Sequence, residues 1–324
     1  MGVTARAARW LGALVFAFCV AACQSAVPPE KPTPAPRGRI AITFDDAPRG
    51  DGEFFTGAER TERLIAELAE AGVEGAMIFV LTENIALEAQ GADRLRAYTD
   101  AGLVLANHSH THSWLSRTDV ADYLADIDTA SGLLAGYEST APFYRFPFLD
   151  EGRTSEKRDA LRAGLQARGL RNGYVTVDTY DWYMNALAEE AVRKGHAPDM
   201  QALGSTYVEI LAGNVEFYDR IAQATLGRSP AHVLLLHEND LAALFVGDLV
   251  KELRARGWEI VPALEAYDDP IAEVDPDTLF NGQGRVAAMA DTEGLFKRSD
   301  LIAPDEDEDW LRAEFVRRGL LPAD

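Results

Sequence analysis

From Arg39 onward the chain alternates short apolar runs with longer stretches in which apolar positions recur at helical spacing. Seven runs read as strands: Arg39–Phe44, Gly75–Val80, Leu103–Ala106, Pro142–Phe146, Asn172–Asp178, His232–Leu236 and Trp258–Val261. Most are too apolar to alternate, which is the pattern of parallel strands covered on both faces. The segments between them are amphipathic. Leu64, Ile65, Leu68 and Ala69 fall on one helical face, and so do Leu241, Leu244, Phe245, Leu249 and Leu253. Gly72, Gly102, Gly169 and Gly257 each stand just ahead of a strand, where a left-handed helix C-cap belongs. Seven strand–helix units in one chain predict an α/β architecture, either a parallel barrel or a doubly wound sheet. No repeat period is strict enough for a solenoid. After Ala266 the pattern fades. Residues 267–324 read as a C-terminal appendage with one or two short helices, and the acidic run Asp305–Asp309 as a solvated loop or a helix start.

The first 38 residues follow another pattern. Arg6 and Arg9 flank the start of an apolar run from Trp10 to Ala22. At 1.5 Å per residue that run covers about 20 Å, short of a hydrocarbon core of roughly 30 Å. A secretory signal peptide over residues 1–22 fits better than a membrane span. The run ends Val20-Ala21-Ala22-Cys23, which resembles the bacterial lipobox and implies cleavage before Cys23 and a lipid on its thiol. Gln24, by analogy with Gram-negative sorting, implies the periplasmic face of the outer membrane. Residues 23–38 carry Pro28, Pro29, Pro32, Pro34 and Pro36, the composition of a semi-rigid tether.

Composition narrows the function classes. With 324 residues, 47% hydrophobic and 26% charged, the chain has ordinary globular composition. Thirty-one basic residues against 52 acidic ones give a net charge of −21. Such a surface repels phosphate backbones, so nucleic acid is not an expected partner. Both cysteines, Cys19 and Cys23, precede the body, which leaves none there as nucleophile, ligand or disulfide partner.

In parallel α/β folds chemistry gathers at the carboxyl ends of the strands. Here those ends carry Asp45-Asp46, His108-Ser109-His110-Thr111-His112, Arg145-Phe146-Pro147-Phe148, Asp178-Thr179-Tyr180-Asp181-Trp182 and His237-Glu238. On a helical turn, His108 and His112 would share one face within reach of one ion. On an extended strand His110 would join them, so the spacing alone leaves His110 open. Two unpaired carboxylates at a buried strand end are costly. A divalent ion would serve one of Asp45 and Asp46, and Arg145 could serve the other.

These five segments, in this order, resemble the polysaccharide deacetylases: carbohydrate esterase family four, with the NodB-homology domain. The resemblance covers about residues 39–265. It implies a distorted (β/α)7 barrel over residues 39–266, with 267–324 as an extension. Two positions depart from the family pattern. Ala47 stands where glycine usually follows the acid pair, and Phe148 where tyrosine is usual, which keeps the backbone N–H and loses a hydroxyl. Carried over, the resemblance makes Asp46, His108 and His112 the ligands of one divalent ion, zinc by preference, with cobalt, nickel or iron compatible. It makes Asp45 the general base, Arg145 its partner, His237 the general acid and Asp181 its partner. The Phe148 N–H would help hold the oxyanion, and Trp182 would wall the groove. The implied reaction is removal of N-acetyl groups from an N-acetylated glycan of peptidoglycan, chitooligosaccharide or exopolysaccharide type. An O-acetyl esterase, a non-sugar amidase or a catalytically silent glycan-binding module are the alternatives. Phe148, Tyr180, Trp182 and Tyr183 would stack on sugar or simply pack. His110, His196 and His232 read as structural or surface residues.

Overall fold

The computed structural model describes residues 1–2 and 37–322. The expected signal peptide, the lipidated Cys23 and the tether up to residue 36 therefore lie outside the described residues. Among the described residues no helix is long and apolar enough to cross a membrane. Among the described residues seven strands form one sheet: β1 (Gly38–Ala47), β2 (Met77–Val80), β3 (Val104–Asn107), β4 (Thr140–Tyr144), β5 (Arg171–Asn172), β6 (Ala231–His237) and β7 (Trp258–Ile260). Every pairing is parallel, in the order β5-β4-β3-β2-β1-β6. β6 lines one edge of β1, and β7 pairs with its first residues, Gly38–Ile40. A single bridge, Val177 to Leu234, reaches across from the β5 side to β6 and curls the sheet into a half-barrel. The fold is thus mixed α/β, the distorted barrel expected.

The helices are α1 (Gly57–Glu70), α2 (Asn84–Leu87), α3 (Gly91–Asp100), α4 (Val120–Leu134), α5 (Ser155–Ala167), α6 (Asp181–Arg193), α7 (Met200–Leu226), α8 (Asp240–Ala255), α9 (Ala263–Ala266), α10 (Gly284–Glu293) and α11 (Glu308–Arg317). α1 opens on a capping box, in which the Thr56 hydroxyl accepts from Glu59 N and the Glu59 carboxylate accepts from Thr56 N. Gly72, Gly102, Gly169 and Gly257 all have positive φ, as the helix ends require.

The parity of the buried strands positions the chemistry. Along β1, Ile40, Ile42 and Phe44 pack outward against the helical layer with Leu64, Leu68 and Leu249. Ala41 packs inward with Met77, Phe79, Phe143 and Val233. Each fully buried apolar side chain of this size contributes about 1.5–3 kcal/mol, so a one-residue slip that exchanged the two faces is strongly disfavoured. Thr43 and Asp45 consequently share the inner face with Ala41. On β6 the same alternation puts Val233, Leu235 and His237 inward. Register then sets Asp45 directly opposite His237.

Two elements differ from expectation. The fifth strand is only Arg171–Asn172, not a run on to Asp178. Gly173 N–H still bonds to Tyr144 O, but a Cβ on Gly173 would meet the Phe79 ring at 2.5 Å, so the backbone passes too close for a regular ladder. Beyond it, Thr176 N and Val177 N both donate to Val233 O. Residues 267–322, expected as a C-terminal extension with one or two short helices, carry α10 and α11 and belong to the same compact unit as the barrel. α10 packs on α7 and α11 on α6. Asp307 caps α11, as a helix start should, but its neighbour Glu306 is buried rather than solvated.

Candidate metal centre and active site

Asp46, His108 and His112 converge at the carboxyl end of the sheet. Asp46 Oδ1 lies 3.4 Å from His108 Nε2 and 3.2 Å from His112 Nε2, and the two imidazole nitrogens are 3.3 Å apart. Three donors each about 2.0–2.1 Å from a common centre, at tetrahedral angles, lie about 3.3–3.4 Å from one another. The side chains are therefore spaced as ligands of one small cation. His108 Nδ1–H donates to Arg145 O at 3.0 Å, which fixes the tautomer and leaves Nε2 with its lone pair toward Asp46. Asp46 Oδ1 is buried and has no hydrogen-bond partner. A buried, unpartnered carboxylate oxygen facing two imidazole nitrogens is the donor set a divalent ion satisfies. Burial works against ionisation of Asp46, but the facing His108 and His112 imidazoles and the charge of His237 hold its carboxyl well below the usual range.

Neither a helix nor a strand supplies the histidine spacing. His108 directly follows β3, and Ser109 and His112 sit at φ 76° and 54°, so the segment is an irregular turn. Ser109 Oγ accepts from His112 N, while Asp126 accepts from His110 N, Thr111 N and the Thr111 hydroxyl. His110 turns aside to Thr82, with Nδ1 3.0 Å from its hydroxyl, and stays out of the trio. His196 reaches Gly319 O, and His232 is fully buried between Thr176 and Asp219.

Asp45 is buried beside the trio, with Oδ2 3.6 Å from His108 Nε2. Its Oδ1 accepts from Arg145 Nη1 at 2.5 Å. Arg145 is completely buried, and its donors also reach Thr43 Oγ1, Gly173 O and Tyr267 Oη. Its guanidinium lies 3.7 Å over the Phe79 ring. A charge held this way keeps Asp45 oriented and compensated.

On the other side, His237 Nδ1 donates to Asp181 Oδ1 at 2.7 Å, and His237 N and Asn239 Nδ2 both donate to Asp181 Oδ2. Asp181 is fully buried at the first turn of α6. Burial lowers the His237 pKa. The Asp181 charge and hydrogen bond, then Asp46 and Asp45, outweigh that and raise it from 6.5 to about 9. With Nδ1 engaged, Nε2 is the nitrogen left for chemistry.

These groups open onto one groove of about 570 Å³, within the range of small-ligand sites. Phe148 and Trp182 both line it and are partly exposed, Phe148 at 43%. Tyr180 lines it too, whereas Tyr183 packs against the core instead. Four participants had gone unassigned in the sequence. Trp114 stacks on Phe148 with ring centroids 3.9 Å apart, and its closeness to His112 in sequence was the available signal. Asp178 also lines the groove, its carboxyl pushed up by burial and by Asp181 and Asp45. Thr43 precedes the acid pair by two and shares their strand. Tyr267 carries no local signal, because it reaches Arg145 across 122 positions.

Residues 33–167 match the polysaccharide deacetylase family. No curated protein matches the chain. The crystal structure of a Bacillus cereus polysaccharide deacetylase shares 20% identity, covers 69% of this chain and 90% of its own, and superposes with a TM-score of 0.51, which is a likeness of fold. A family 4 carbohydrate esterase from Streptomyces lividans, solved with acetate, shares 22% identity over 70% of this chain and 93% of its own, with a TM-score of 0.47. A Bacillus anthracis pseudoenzyme of the same esterase family shares 15% over 69% and 63%, with a TM-score of 0.45. The family match takes in three of the five strand-end segments, Asp45-Asp46, His108–His112 and Arg145–Phe148.

Proposed function

We propose that the protein is a metal-dependent hydrolase that removes N-acetyl groups from an N-acetylated glycan of the cell envelope. One observation carries the reading: a ligand trio spaced at 3.2–3.4 Å, flanked in one groove by an arginine-held aspartate and an aspartate-held histidine. A divalent ion, zinc by preference, held by Asp46, His108 and His112 supplies Lewis acidity toward a water and toward the acyl oxygen. Asp45 accepts the proton of the attacking water, and Arg145 pairs with it and keeps it aimed. The Phe148 N–H shares the negative charge that develops on the acyl oxygen, a contribution of roughly 3–4 kcal/mol for a well-placed donor. As the C–N bond breaks, His237 gives its Nε2 proton to the departing nitrogen, and Asp181 favours the charged imidazole beforehand. The products are acetate and a free amino sugar. Trp182 and Phe148 wall the groove against the sugar.

The same reading puts the enzyme in the envelope, tethered through a lipid on Cys23, with no nucleic acid as partner. The test is acetate release, measured by HPLC, from chitooligosaccharides, peptidoglycan fragments and acetylated xylan, with zinc, with chelator and after zinc is restored. Release from the first two, lost with chelator and regained with zinc, is expected. Release from xylan alone would make it an esterase. Binding without release from any would make it a silent glycan-binding module.

A further inference from the structure

Beneath the groove lies a buried charge cluster that the reaction itself does not use. Glu238 follows His237 and is fully buried. Its Oε1 accepts from Arg94 Nη2 at 2.8 Å and from the Tyr98 hydroxyl at 2.9 Å. Its Oε2 accepts from the backbone N–H of Arg49 at 2.7 Å. The carbonyl of Arg49 is held as well, by Arg94 Nη1 at 2.8 Å and Arg60 Nη1 at 3.3 Å. Arg60 in turn pairs with Asp240 at 2.7 Å, and Asp240 accepts from Phe54 N. Two arginines and two carboxylates thus balance one another, and they grip both the N–H and the carbonyl of one residue, Arg49.

Arg49 is three positions beyond Asp46. Its guanidinium lies 3.5 Å from Asp46 Oδ2, while Asp46 Oδ1 faces the two histidines. Asp46 also has its backbone in the left-handed region, at φ 70°. A non-glycine residue there is strained and persists only when its surroundings over-determine it. On one side Asp46 is fixed by the β1 ladder, since Glu238 N–H donates to Asp45 O. On the other it is fixed by the pinned Arg49. Net stability is a poor reason for such a cluster, because apolar residues of equal volume are often as stabilising as a buried ion network. Fixed geometry is a better one.

We propose that Glu238, with Arg94, is a positioning residue for the cation site: it clamps the segment after Asp46 so that the Asp46 carboxylate keeps its register with His108 and His112. The proposal rests on reading those three as ligands. Zinc affinity of chelator-stripped protein is measured by competition with a chromophoric chelator, and unfolding of the same metal-free protein by thermal melting. Glu238→Gln removes the charge. Arg94→Lys keeps the charge and loses the fork, so it folds even where Glu238→Gln does not. Each is expected to weaken zinc binding about tenfold, the size of effect typical of groups that orient ligands. Near-UV circular dichroism stays native. Zinc affinity within twofold of wild type in Arg94→Lys, with a lowered melting temperature, makes the cluster purely structural and overturns the proposal. A wild-type protein that takes up no divalent ion is a separate result, and it overturns the ligand reading itself.

Discussion

Replacing Asp181 with Asn tests the acid half of the site, because the structure fixes what the substitution does to each atom. Asp181 Oδ2 accepts from His237 N and Asn239 Nδ2, so the single oxygen of an asparagine takes that side. Its NH₂ then faces His237 Nδ1 and donates to it. The imidazole is forced to the neutral tautomer with its proton on Nε2, a far weaker acid than imidazolium. In the wild type, burial lowers the His237 pKa while Asp181, Asp46 and Asp45 raise it, to about 9. The rise above 6.5 corresponds to about 3 kcal/mol in favour of the charged form. A cation on the trio offsets the Asp46 and Asp45 contributions, so the alkaline limb of kcat/KM for the loaded enzyme falls somewhat below pH 9. With Asp181→Asn only burial and the cation remain, and both oppose protonation. The limb is expected to move down by two pH units or more, with kcat depressed throughout. The assay is acetate release from chitotetraose between pH 5 and 10 at saturating zinc. Metal-free protein supplies a second readout. A histidine with a raised folded pKa stabilises fully below its unfolded value and loses that contribution as pH rises through the folded one. The urea midpoint of the wild type should therefore fall between pH 6.5 and about 9 by more than that of the variant. An unmoved alkaline limb in Asp181→Asn would refute His237 as the acid governed by Asp181.

Three further outcomes follow from neighbouring contacts. Asp45→Asn should abolish turnover while zinc stays near one equivalent by elemental analysis, whereas His108→Ala should lose the metal; retained activity in the first removes Asp45 as base. Arg145→Met leaves Asp45 buried without its partner, so urea unfolding should show a loss of about 3–5 kcal/mol, and a loss below about 1 would mean the pair is not the support it looks like. Glu306 is buried, and burial followed by the Asp178 charge pushes its pKa up. A carboxyl with a raised folded pKa destabilises increasingly as pH climbs above its unfolded value. Glu306→Gln should thus raise the melting temperature more at pH 8.5 than at pH 5, and an equal change at both would contradict a neutral Glu306.

How much of this was legible beforehand depends on the range of each interaction. The apolar runs around β1 and β6 are local, and period-two parity along them is enough to send Asp45 and His237 to the same face. The candidate ligand trio was legible as residue types, but its geometry was not. The turn from Ser109 to His112 is closed by Asn107 and by Asp126, which sits 16 positions from His110 in the chain. Spacing between histidines cannot encode that. Strand five was overextended because its β-branched and aromatic residues suit a strand, while the nearby Phe79 ring denies Gly173 the room a ladder needs. The tail gave the least away. Tyr267 supports Arg145, and Glu306 accepts from the Tyr218 hydroxyl across 88 positions, both contacts set by tertiary packing and not by neighbouring sequence.

The same logic explains where local rules fail. Among the described residues seven non-glycine positions have φ between 50° and 76°, and five of them are Asp46, Ser109, His112, Phe148 and Leu149. None is asparagine, and only Asp46 and His112 are of types with some tolerance of the left-handed region, so the local sequence asks little for that conformation. What holds it is distant in sequence: Glu238 clamps Arg49 beyond Asp46, Asp126 gathers the turn before His112, and Trp114 stacks on Phe148. Conformational cost concentrated at strand ends and opposed by long-range contacts is the signature of a preorganised site, since a segment free to relax would give up the 3.2–3.4 Å spacing first. Relaxing one of these supports should therefore loosen the grip on a cation before it unfolds the barrel, which separates the forces that build the site from those that build the fold.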